Sequence, residues 1–470
     1  MDPAALPRRR LARGLALAVV LLLVAPTVAS GLTYDPGEAT EFKRGTVTEP
    51  AEGLTVVAIQ GFHFKGEGAT KKPARLAAFG PRGELRWKYN GSNVGARWFY
   101  DVDPLPDGNL LVTATNPDGT IVMALDPATR EPVWVERFPF TDTHDVDQLD
   151  EHRLLIGNMR AYNETTDTNN DRVLIYNRTS DEVEWEWLFR EQYPELLDVD
   201  TGGGTGGVRT EDWTHVNDVD EVAPGKYLLS PRNFDQVILV DRETGEIELK
   251  LGEEGNHDIL SEQHNPDYLE SESGRPTFLV ADSENARVVE YEHTGDGWER
   301  TWELSGGFSW PRDADRLPNG NTLVTDSLNH RVVEVTPNGE IVWEVYAPWG
   351  PYDAERVHTG GGSNGPTIAD QGADGEATLH GSAGLTPGTG DRTSFAARLT
   401  ATFAGTPLDG AATSFARRWA HITPWIYPVW MTGWDFALLL AALLVLLGWG
   451  LTEAVLARQE LLSRARRLRG

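Results

Sequence analysis

Residues 101–112 read Asp-Val-Asp-Pro-Leu-Pro-Asp-Gly-Asn-Leu-Leu-Val, and this stretch decides the fold because it recurs along the chain. Further copies of its opening pattern begin at Asp145, Asp218, Asn265 and Asp313, which lie 44, 73, 47 and 48 residues after the copy before. A turn and short strands with alternating apolar residues follow, completing a unit of about 45 residues. Several short strands in a unit of this length are typical of a β-propeller blade.

The number of blades follows from counting these units. Residues 54–89 form a more divergent unit before the five copies, and an insertion at 191–210 accounts for the longest spacing. The 48 glycines and 28 prolines exclude a helical repeat. We therefore predict an all-β, six-bladed propeller at 33–349, with five or seven blades left open.

Composition excludes several functions. The 71 acidic residues outnumber the 42 basic ones, giving a formal net charge of −29, which repels the phosphates of nucleic acids. The excess also resembles the acidic surfaces of proteins from extreme halophiles. Because the chain has no cysteine, disulfides, thiolate metal sites and cysteine nucleophiles are excluded.

The N-terminal segment 1–32 predicts a signal peptide or a membrane anchor. Four arginines precede an apolar run at 15–24, which is the pattern of an export signal, and the sequence leaves cleavage open. Towards the other end, residues 434–457 are apolar and long enough to span a membrane. The basic segment 458–470 follows at once and predicts a cytoplasmic C-terminus.

These two ends place the propeller on the extracellular face of the cell membrane. Residues 350–424, rich in Gly, Ala, Thr and Asp, predict a flexible stalk between propeller and membrane helix. Three Asn-X-Ser/Thr triplets agree with an outward location and are candidate glycosylation sites, at Asn90, Asn163 and Asn177.

Equivalent repeat positions should converge at one mouth of the propeller channel, because the innermost strands ring that channel. The position just before each repeated acidic or amide residue is occupied by Tyr100, His144, Asn217, His264 and Arg312. His215 lies two residues before Asn217. Imidazole, guanidinium and amide groups gathered at one opening favour an anion as the ligand.

Arginines recur later in the units, at Arg160, Arg232, Arg287 and Arg331. Arg287 and Arg331 share the form Asn-X-Arg-Val-Val, which indicates a structural use, although Arg287 stays a candidate ligand. Arg232 breaks that pattern and is the stronger candidate.

The repeated acids and the histidines could each be taken for metal ligands. The regular return of the acids in every blade favours hydrogen bonding in turns and caps. Histidines alone can hold a metal ion, but Arg232 and Arg312 beside them would repel a cation. We therefore predict no metal and no organic cofactor.

Four motifs resemble the arylsulfotransferase family, whose members are built on a six-bladed propeller. They are Asp-Trp-Thr-His-Val-Asn at 212–217, Ser-Pro-Arg-Asn at 230–233, Asp-Arg-Glu-Thr-Gly-Glu-Ile at 241–247 and Gln-His-Asn at 263–265. The resemblance covers residues 50–348 and leaves the stalk and membrane helix unexplained.

In that family a histidine takes the sulfuryl group from an aryl sulfate and passes it to a phenolic acceptor. The resemblance implies that His264 is this nucleophile and that His144 completes the cluster. It further implies that His215, Asn217 and Arg232 hold the sulfate. The expected partners are thus small aryl sulfates and phenols, with no nucleic acid. Asn265 stands where the family commonly has Asp, and members of the bacterial type lack a C-terminal anchor.

Two other functions fit the same features. A noncatalytic cell-surface propeller would bind anionic glycans at the same cationic mouth without needing a nucleophile. A metal-dependent or quinone-dependent surface enzyme would hold a bound metal or a coloured cofactor.

Overall fold

Six antiparallel sheets of four strands form the blades of a propeller, which confirms the predicted fold and its blade number. The computed structural model describes residues 5–33, 42–63, 70–197, 201, 212–381, 395–428 and 430–467. The glycine-rich part of the insertion, at 202–211, and the last three residues of the basic tail lie outside the described residues. The propeller unit spans Glu41–Leu385, and a second unit combines Met1–Thr40 with Thr386–Gly470.

The strands are numbered in chain order. They are β1 Lys43–Val47, β2 Thr55–Ile59, β3 Phe62–His63, β4 Thr70–Lys72, β5 Arg75–Phe79, β6 Leu85–Asn90, β7 Trp98–Pro104, β8 Leu110–Asn116, β9 Gly119–Asp126, β10 Glu131–Phe138, β11 Val146–Gln148, β12 Arg153–Asn158, β13 Tyr162–Asn163, β14 Thr168–Asn169, β15 Arg172–Asn177, β16 Glu182–Leu188, β17 Val216–Ala223, β18 Lys226–Pro231, β19 Gln236–Asp241, β20 Ile247–Gly252, β21 His264–Glu270, β22 Pro276–Asp282, β23 Arg287–His293, β24 Trp298–Ser305, β25 Pro311–Arg316, β26 Thr322–Asp326, β27 Arg331–Val335, β28 Ile341–Tyr346, β29 Pro351–Arg356 and β30 Gly375–Thr378. The helices are α1 Ala5–Thr33, α2 Phe189–Gln192, α3 Phe395–Phe403, α4 Asp409–Ile426 and α5 Gly433–Arg467.

Each blade runs from an inner strand at the channel to an outer strand. Blade 1 contains β29, β2, β5 and β6, and blade 2 contains β7 to β10. Blade 3 contains β11, β12, β15 and β16, and blade 4 contains β17 to β20. Blade 5 contains β21 to β24 with β30 added at its outer edge, and blade 6 contains β25 to β28 with β1 added.

The ring is closed by strands from opposite ends of the propeller unit. The inner strand of blade 1 is β29, which pairs with β2 so that Arg356 lies opposite Thr55. At the other closure, β1 pairs with β28 and adds a fifth strand to blade 6. Both junctions consist of backbone hydrogen bonds between strands, so one edge of β2 is paired with β29 and one edge of β28 is paired with β1.

Strand β29 also changes the expected domain boundary. We placed the end of the propeller at residue 349 and a stalk at 350–424, but 351–356 is an inner strand of the propeller. Tyr352-Asp353-Ala354-Glu355 is a sixth copy of the inner-strand pattern, and no turn and apolar strand follow it to complete the repeat. The interval 350–424 also contains β30, the helix α3 and all but the last two residues of α4.

Tryptophan side chains connect neighbouring blades at the rim. Buried indole rings on the outer strands of three blades donate a hydrogen bond to a turn carbonyl of the next blade. The pairs are Trp187 with Gly245 at 2.9 Å, Trp302 with Pro337 at 3.0 Å and Trp343 with Pro81 at 3.1 Å. This shared use gives a structural reason for part of the high tryptophan content.

The repeated acids connect neighbouring blades at the channel. The carboxylate of Asp145 accepts a hydrogen bond from the backbone N–H of Val219 in the next blade, at 2.7 Å. The carboxylates of blades 6 and 1 do the same, Asp313 with Ala354 at 3.2 Å and Asp353 with Val102 at 2.9 Å. We expected these acids to serve turns and caps within a blade, but these bonds run between blades.

Two apolar helices near the ends of the chain are long enough to cross a membrane, at Arg9–Thr33 within α1 and Gly433–Gln459 within α5. The two helices contact each other in the second unit. Arg13 makes two hydrogen bonds to the Glu453 carboxylate, at 2.7 and 2.6 Å, and Ser30 donates one to Asp435 at 2.8 Å. These bonds join opposite ends of α1 to opposite ends of α5, so the helices are antiparallel.

Asp313 allows a test of the channel acids through pH. Burial, reinforced by the charge of Asp267, raises the pKa of Asp313 from 3.8 to about 8. Because the folded-state pKa is the higher one, its contribution to stability is complete below the unfolded-state pKa and is lost as pH rises through about 8. Asp313→Asn keeps an oxygen acceptor and removes the charge. It should add little at pH 4, close to the unfolded-state pKa, and should raise the free energy of unfolding by at least about 1 kcal/mol at pH 9.

Thermal unfolding in the presence of a chelator measures this difference. The control is Asp118→Asn, which removes the same charge from an exposed turn. An equal gain for both variants, or a gain for Asp313→Asn that does not depend on pH, would contradict the prediction.

Candidate active site

The chain enters most inner strands through a residue with left-handed backbone. In five of the six blades, the residue two positions before the one that enters the site has φ between 45° and 69°, and these residues are Asp142, His215, Glu262, Trp310 and Gly350. Such φ values are uncommon for residues other than glycine and require support from the surrounding structure. The repeated left-handed residue gives these inner strands the same entry path, so the residues that follow arrive at the channel in equivalent positions.

A β-bulge then releases the site residue from strand pairing. In blades 2 and 6 the pairing register shifts around Tyr100 and Arg312. In blade 1 it shifts between Pro351 and Asp353, which leaves Tyr352 unpaired, and in blade 4 it shifts after Val216. Bulges redirect side chains and are frequent next to active sites. Here they occur where the sequence changes most between blades.

The side chains at these positions form one buried cluster. The ring of His144 stacks on Tyr100, with ring centroids 3.9 Å apart, and meets the ring of His215 edge-on at 4.9 Å. Tyr352 links this group to the third histidine, because its ring lies 5.3 Å from His144 and 5.8 Å from His264. The structure thus brings together the three histidines and Tyr100 of the sequence hypothesis.

The hydrogen bonds of His264 fix its tautomer. The Ser283 hydroxyl donates its proton to the carbonyl of Pro311 at 2.6 Å, so its oxygen is left to accept from Nδ1 of His264 at 2.8 Å. The carbonyl of Glu262, 3.2 Å from Nδ1, can only accept. Nδ1 therefore carries the proton and Nε2 carries the lone pair.

Nε2 of His264 is buried and has no hydrogen-bond partner among the described residues. Burial lowers the pKa of His264 well below its ordinary value, and the nearby charges of Arg312 and Arg232 lower it further. The imidazole is therefore neutral at physiological pH. A neutral imidazole with an unoccupied Nε2 lone pair is the form that acts as a nucleophile.

The other two histidines are held by carboxylates. Nδ1 of His215 lies 2.7 Å from Asp212, and Nε2 of His144 lies 3.8 Å from Asp142. Arg160 bridges the two acids, at 2.9 Å from Asp142 and 3.0 Å from Asp212. Although burial opposes it, hydrogen bonds from the histidines and the charge of Arg160 lower the pKa of both acids, which stay ionised.

Tyrosine hydroxyls complete the network around His144. The Tyr352 hydroxyl lies 2.8 Å from Nδ1 of His144, and the Tyr100 hydroxyl donates to Asp142 at 2.6 Å. Burial raises the pKa of both tyrosines above 10, so both keep their protons. His144 is therefore hydrogen bonded to Tyr352 at Nδ1, while its Nε2 lies near the Asp142 carboxylate beyond hydrogen-bond distance.

Arg312 is a buried cation that lacks a counter-ion among the described residues. Its guanidinium carbon lies 4.0 Å from the ring centre of Trp310 and 4.6 Å from that of Tyr352. One terminal nitrogen donates to Gln60 at 2.8 Å, whereas Nε has no partner in the described chain. Burial lowers the pKa of Arg312, which reflects the unfavourable desolvation of its charge. Such a group is suited to bind an anion.

Arg232 and Asn217 stand beside His264. Arg232 is largely buried and lies 3.5 Å from the Glu262 carboxylate, a long contact for an ion pair. The amide nitrogen of Asn217 donates to the carbonyl of Gln263 at 2.9 Å, and its Oδ1 has no partner among the described residues. Two guanidinium groups and an amide therefore face one imidazole.

Arg287 differs from the sequence hypothesis. Its Nε lies 2.6 Å from Asp282 and one terminal nitrogen 2.8 Å from Glu303, both within blade 5. Its remaining nitrogen donates to two backbone carbonyls at 3.0 Å. These bonds occupy the guanidinium, and the shared Asn-X-Arg-Val-Val pattern marks this structural role.

The sequence hypothesis also missed several residues of the cluster. Tyr352 could have been found by aligning Tyr-Asp-Ala-Glu-Arg at 352–356 with Arg-Asp-Ala-Asp-Arg at 312–316. Asp142 and Asp212 lie two and three residues before their histidines, a spacing that allows local pairing. Arg160 was noted without an assigned partner, and no sequence signal distinguishes Ser283.

The histidines do not form a metal-ligand set within the described residues. In that part of the chain, the group of His, Asp and Glu side chains that places three ligand atoms together is Asp101, Asp103 and Asp145. The histidine cluster combines a neutral imidazole with one buried and one largely buried guanidinium group, an arrangement suited to an anion.

Comparison with known proteins agrees with this description. Residues 52–271 match the model of the arylsulfotransferase (ASST) family. No curated protein matches the chain.

Among solved structures, a Bacteroides caccae protein of unknown function shares 14% identity and a TM-score of 0.42, over 63% of this chain and 93% of that one. Virginiamycin B lyase from Staphylococcus aureus shares 10% identity and a TM-score of 0.37, over 66% and 89%. At these scores the likeness carries no functional argument.

Ser283 should determine the tautomer of His264. Ser283→Ala removes the nearer acceptor of the Nδ1 proton and leaves the carbonyl of Glu262. Loss of a hydrogen bond of about 1 kcal/mol should shift the tautomer ratio about fivefold towards Nε2–H. ¹⁵N chemical shifts of labelled histidine in the full chain measure this ratio.

The matched control is Ser327→Ala. Ser327 occupies the equivalent position in blade 6, and its hydroxyl has no hydrogen-bond partner among the described residues. An unchanged His264 spectrum in Ser283→Ala, or an equal change in Ser327→Ala, would contradict the assigned role.

Proposed function

We propose that this chain is a sulfotransferase of the extracellular membrane face, which moves a sulfuryl group from an aryl sulfate to a phenolic or other hydroxyl acceptor through a sulfohistidine at His264. The observation that carries this proposal is the position of Arg312 beside His264. Arg312 is buried without a counter-ion among the described residues, and His264 is neutral, with no hydrogen-bond partner for its Nε2 in that part of the chain. The family match over 52–271 supports the reaction class and includes His215, Asn217 and Arg232.

The first half-reaction forms the covalent intermediate. The Nε2 lone pair attacks the sulfur atom, the N–S bond forms, and the S–O bond to the aryl group breaks with its electron pair leaving on the phenolate oxygen. The imidazole becomes positively charged, and its Nδ1–H remains bonded to Ser283 and to the carbonyl of Glu262. Both acceptors stabilise that charge, so they favour the intermediate over the free histidine.

The guanidinium groups stabilise the sulfuryl oxygens. Three peripheral oxygens carry the negative charge throughout the transfer, and fixed donors in a desolvated site stabilise such charge without reorganising. Arg312 can donate from Nε, and Asn217 can donate from its second amide N–H. Arg232 can donate from its guanidinium, because its 3.5 Å contact with the Glu262 carboxylate is long for an ion pair.

His215 moves the proton. Its Nδ1 is held by Asp212, which leaves Nε2 to exchange a proton with the phenol oxygen. Burial and the charge of Arg232 lower the pKa of His215 to about 3 in the free protein. An anion bound to Arg232 removes the second effect and raises the pKa towards the range where His215 gives a proton to the leaving phenolate and takes one from the incoming hydroxyl. His144, with Tyr352 and Asp142, completes the polar wall.

The second half-reaction returns the enzyme to its starting state. The acceptor oxygen attacks sulfur, its proton passes to His215, and the N–S bond breaks with the electron pair returning to Nε2 of His264. No oxidant, metal or organic cofactor enters this balance.

The helical unit supports a membrane location. Because α1 and α5 are antiparallel, the arginines in the first turns of α1 and those at the end of α5 lie on the same side, which the positive-inside rule assigns to the cytoplasm. The propeller follows α1 and precedes α5 in sequence, and so belongs outside, where exposed Asn90 and Asn163 are available as glycosylation acceptors. We infer that α1 stays attached, because its polar residues are paired with α5.

The intermediate at His264 gives the decisive experiment. Full-length protein in high salt is mixed with p-nitrophenyl sulfate without acceptor, quenched, and analysed by peptide mass spectrometry. Stoichiometric sulfation of the His264 peptide is expected, and adding a phenol should discharge it. His264→Ala should lose transfer by a factor of at least about 10³.

The exposed His152 supplies the matched control, since His152→Ala should keep full activity. A fully active His264→Ala variant would refute the mechanism. Anion binding by the wild type without sulfation would instead support a binding propeller.

Retention of α1 is tested on protein purified from membranes. The intact mass should equal that of the uncleaved chain, since the contacts of Arg13 and Ser30 with α5 hold the segment. Truncation after residue 29 or 30 would show that α1 is a cleaved signal peptide. Alanine replacing Glu453 should lower the melting temperature of this protein, whereas Thr452→Ala, next to it and exposed, should not.

A further inference from the structure

A ring of acids lies on or directly next to the inner strands. In sequence, these acids follow the residues of the histidine cluster by one or more positions. The ring consists of Asp101, Asp103, Asp145, Asp147, Asp218, Asp220, Asp267, Asp313, Asp315, Asp353 and Glu355. None of them forms an ion pair with a described arginine or lysine. Asp101, Asp145 and Asp218 are buried. Buried carboxylates without cationic partners are unfavourable unless a proton or a cation neutralises them.

The cross-blade hydrogen bond is missing between blades 2 and 3. The equivalent acids of blades 1, 3 and 6 each accept a backbone N–H from the next blade. Asp101 in blade 2 has no such bond to Val146, although it is only 7% exposed, and its Oδ2 has no partner among the described residues. Instead, one oxygen of Asp101 lies within 4.8 Å of oxygens from Asp103 and Asp145.

Asp218 in blade 4 is orphaned for a separate reason. The residue that would donate to it from blade 5 is Pro266, which has no N–H. Oδ2 of Asp218 is consequently buried without a partner in the described chain, on a residue that is 6% exposed. An unpartnered carboxylate oxygen from a third blade therefore lies in the same ring of acids.

A glycine-rich segment covers the far end of the inner strands. A Cβ on Gly361 would lie 2.6 Å from an oxygen of Asp103, so the backbone passes directly over that carboxylate. The backbone N–H of Gly362 donates to Glu355 at 3.0 Å, and that of Ser363 donates to Asp267 at 3.1 Å. The segment separates the acids from bulk water, which strengthens their attraction for a positive ion.

We propose that Asp101, Asp103 and Asp145 bind one calcium ion in the propeller channel, with Asp218 of blade 4 in the same ring of acids. The three carboxylate oxygens lie within 4.8 Å of one another, close enough for one ion to contact all of them. Calcium takes carboxylate ligands in flexible geometry, whereas magnesium dehydrates reluctantly and usually keeps several waters, so a buried carboxylate site favours calcium. Asp145 can bind through Oδ1, because its Oδ2 holds the N–H of Val219.

This site departs from our sequence prediction of no metal, and it stands independently of the transfer reaction. The ion is structural: it replaces the missing hydrogen bond between blades 2 and 3. It also reduces the negative potential that the acid ring exerts on an anion at the histidine cluster.

Equilibrium dialysis tests the proposal. Full-length protein in detergent is stripped with EGTA and dialysed against ⁴⁵Ca²⁺ in concentrated KCl with excess Mg²⁺. One calcium per chain is expected. Asp103→Asn should weaken calcium binding at least about tenfold. Asp315→Asn removes the same charge from the same ring, but its principal charged neighbours are Asp313, Glu355, Asp267 and Asp353, so it should change affinity less than about threefold.

Three results would overturn the site: no calcium retained by the wild type, competition by Mg²⁺ at equal concentration, or equal weakening in both variants. If circular dichroism shows that Asp103→Asn does not fold, Asp101→Asn takes its place, and the wild-type stoichiometry still decides. Sulfation of His264 is measured separately, so failure of the calcium site and failure of the proposed reaction are distinguishable.

Discussion

Closure of the ring through β29 is the constraint on which the rest of the molecule depends. Thr55 and Arg356 are 301 positions apart, and their side chains are hydrogen bonded where β2 meets β29. This junction also completes the channel bonds that link Asp313 with Ala354 and Asp353 with Val102. In a chain without cysteine, no covalent bond can replace it. The same strand supplies Tyr352, which contacts two histidines from other blades, so closing the fold and assembling the site are one event.

The channel separates charge along its length. At one end, burial lowers the pKa of His264, and the charges of Arg312 and Arg232 lower it further, so the imidazole stays neutral. Towards the other end, acids crowd together beneath the glycine-rich segment. An anion would be repelled by a protein with net charge −29 unless local cations were desolvated and fixed. Burial of two guanidinium groups meets that condition, and a calcium ion among the acids would strengthen it.

The repeat made most of this fold predictable from sequence. The period gives six blades, and the position before each repeated acid identifies Tyr100, His144, His264 and Arg312, which the structure brings together or places beside one another. What the sequence could not supply depends on contacts made after closure. Tyr352 was assigned to a stalk because its copy of the pattern is incomplete. The bond from His264 to Ser283 depends on a distance of 2.8 Å that no spacing encodes.

The bulge explains how one repeat position can vary while the fold is kept. The acid that follows it is tied to the next blade, so its identity is restricted, whereas the bulged residue is released from pairing and can be Tyr, Asn or Arg. Blade 5 differs from the other blades next to the proposed nucleophile. Asn265 stands in place of the acid, and Pro266 has no N–H to donate to the neighbouring blade. Pro266 cannot donate a hydrogen bond to Asp218, which leaves Oδ2 of Asp218 without a partner in the described chain, in the same ring of acids as the calcium group. Asn265-Pro266 thus affects both ends of the channel, because this pair follows His264 directly and also lacks the backbone N–H that would bind Asp218.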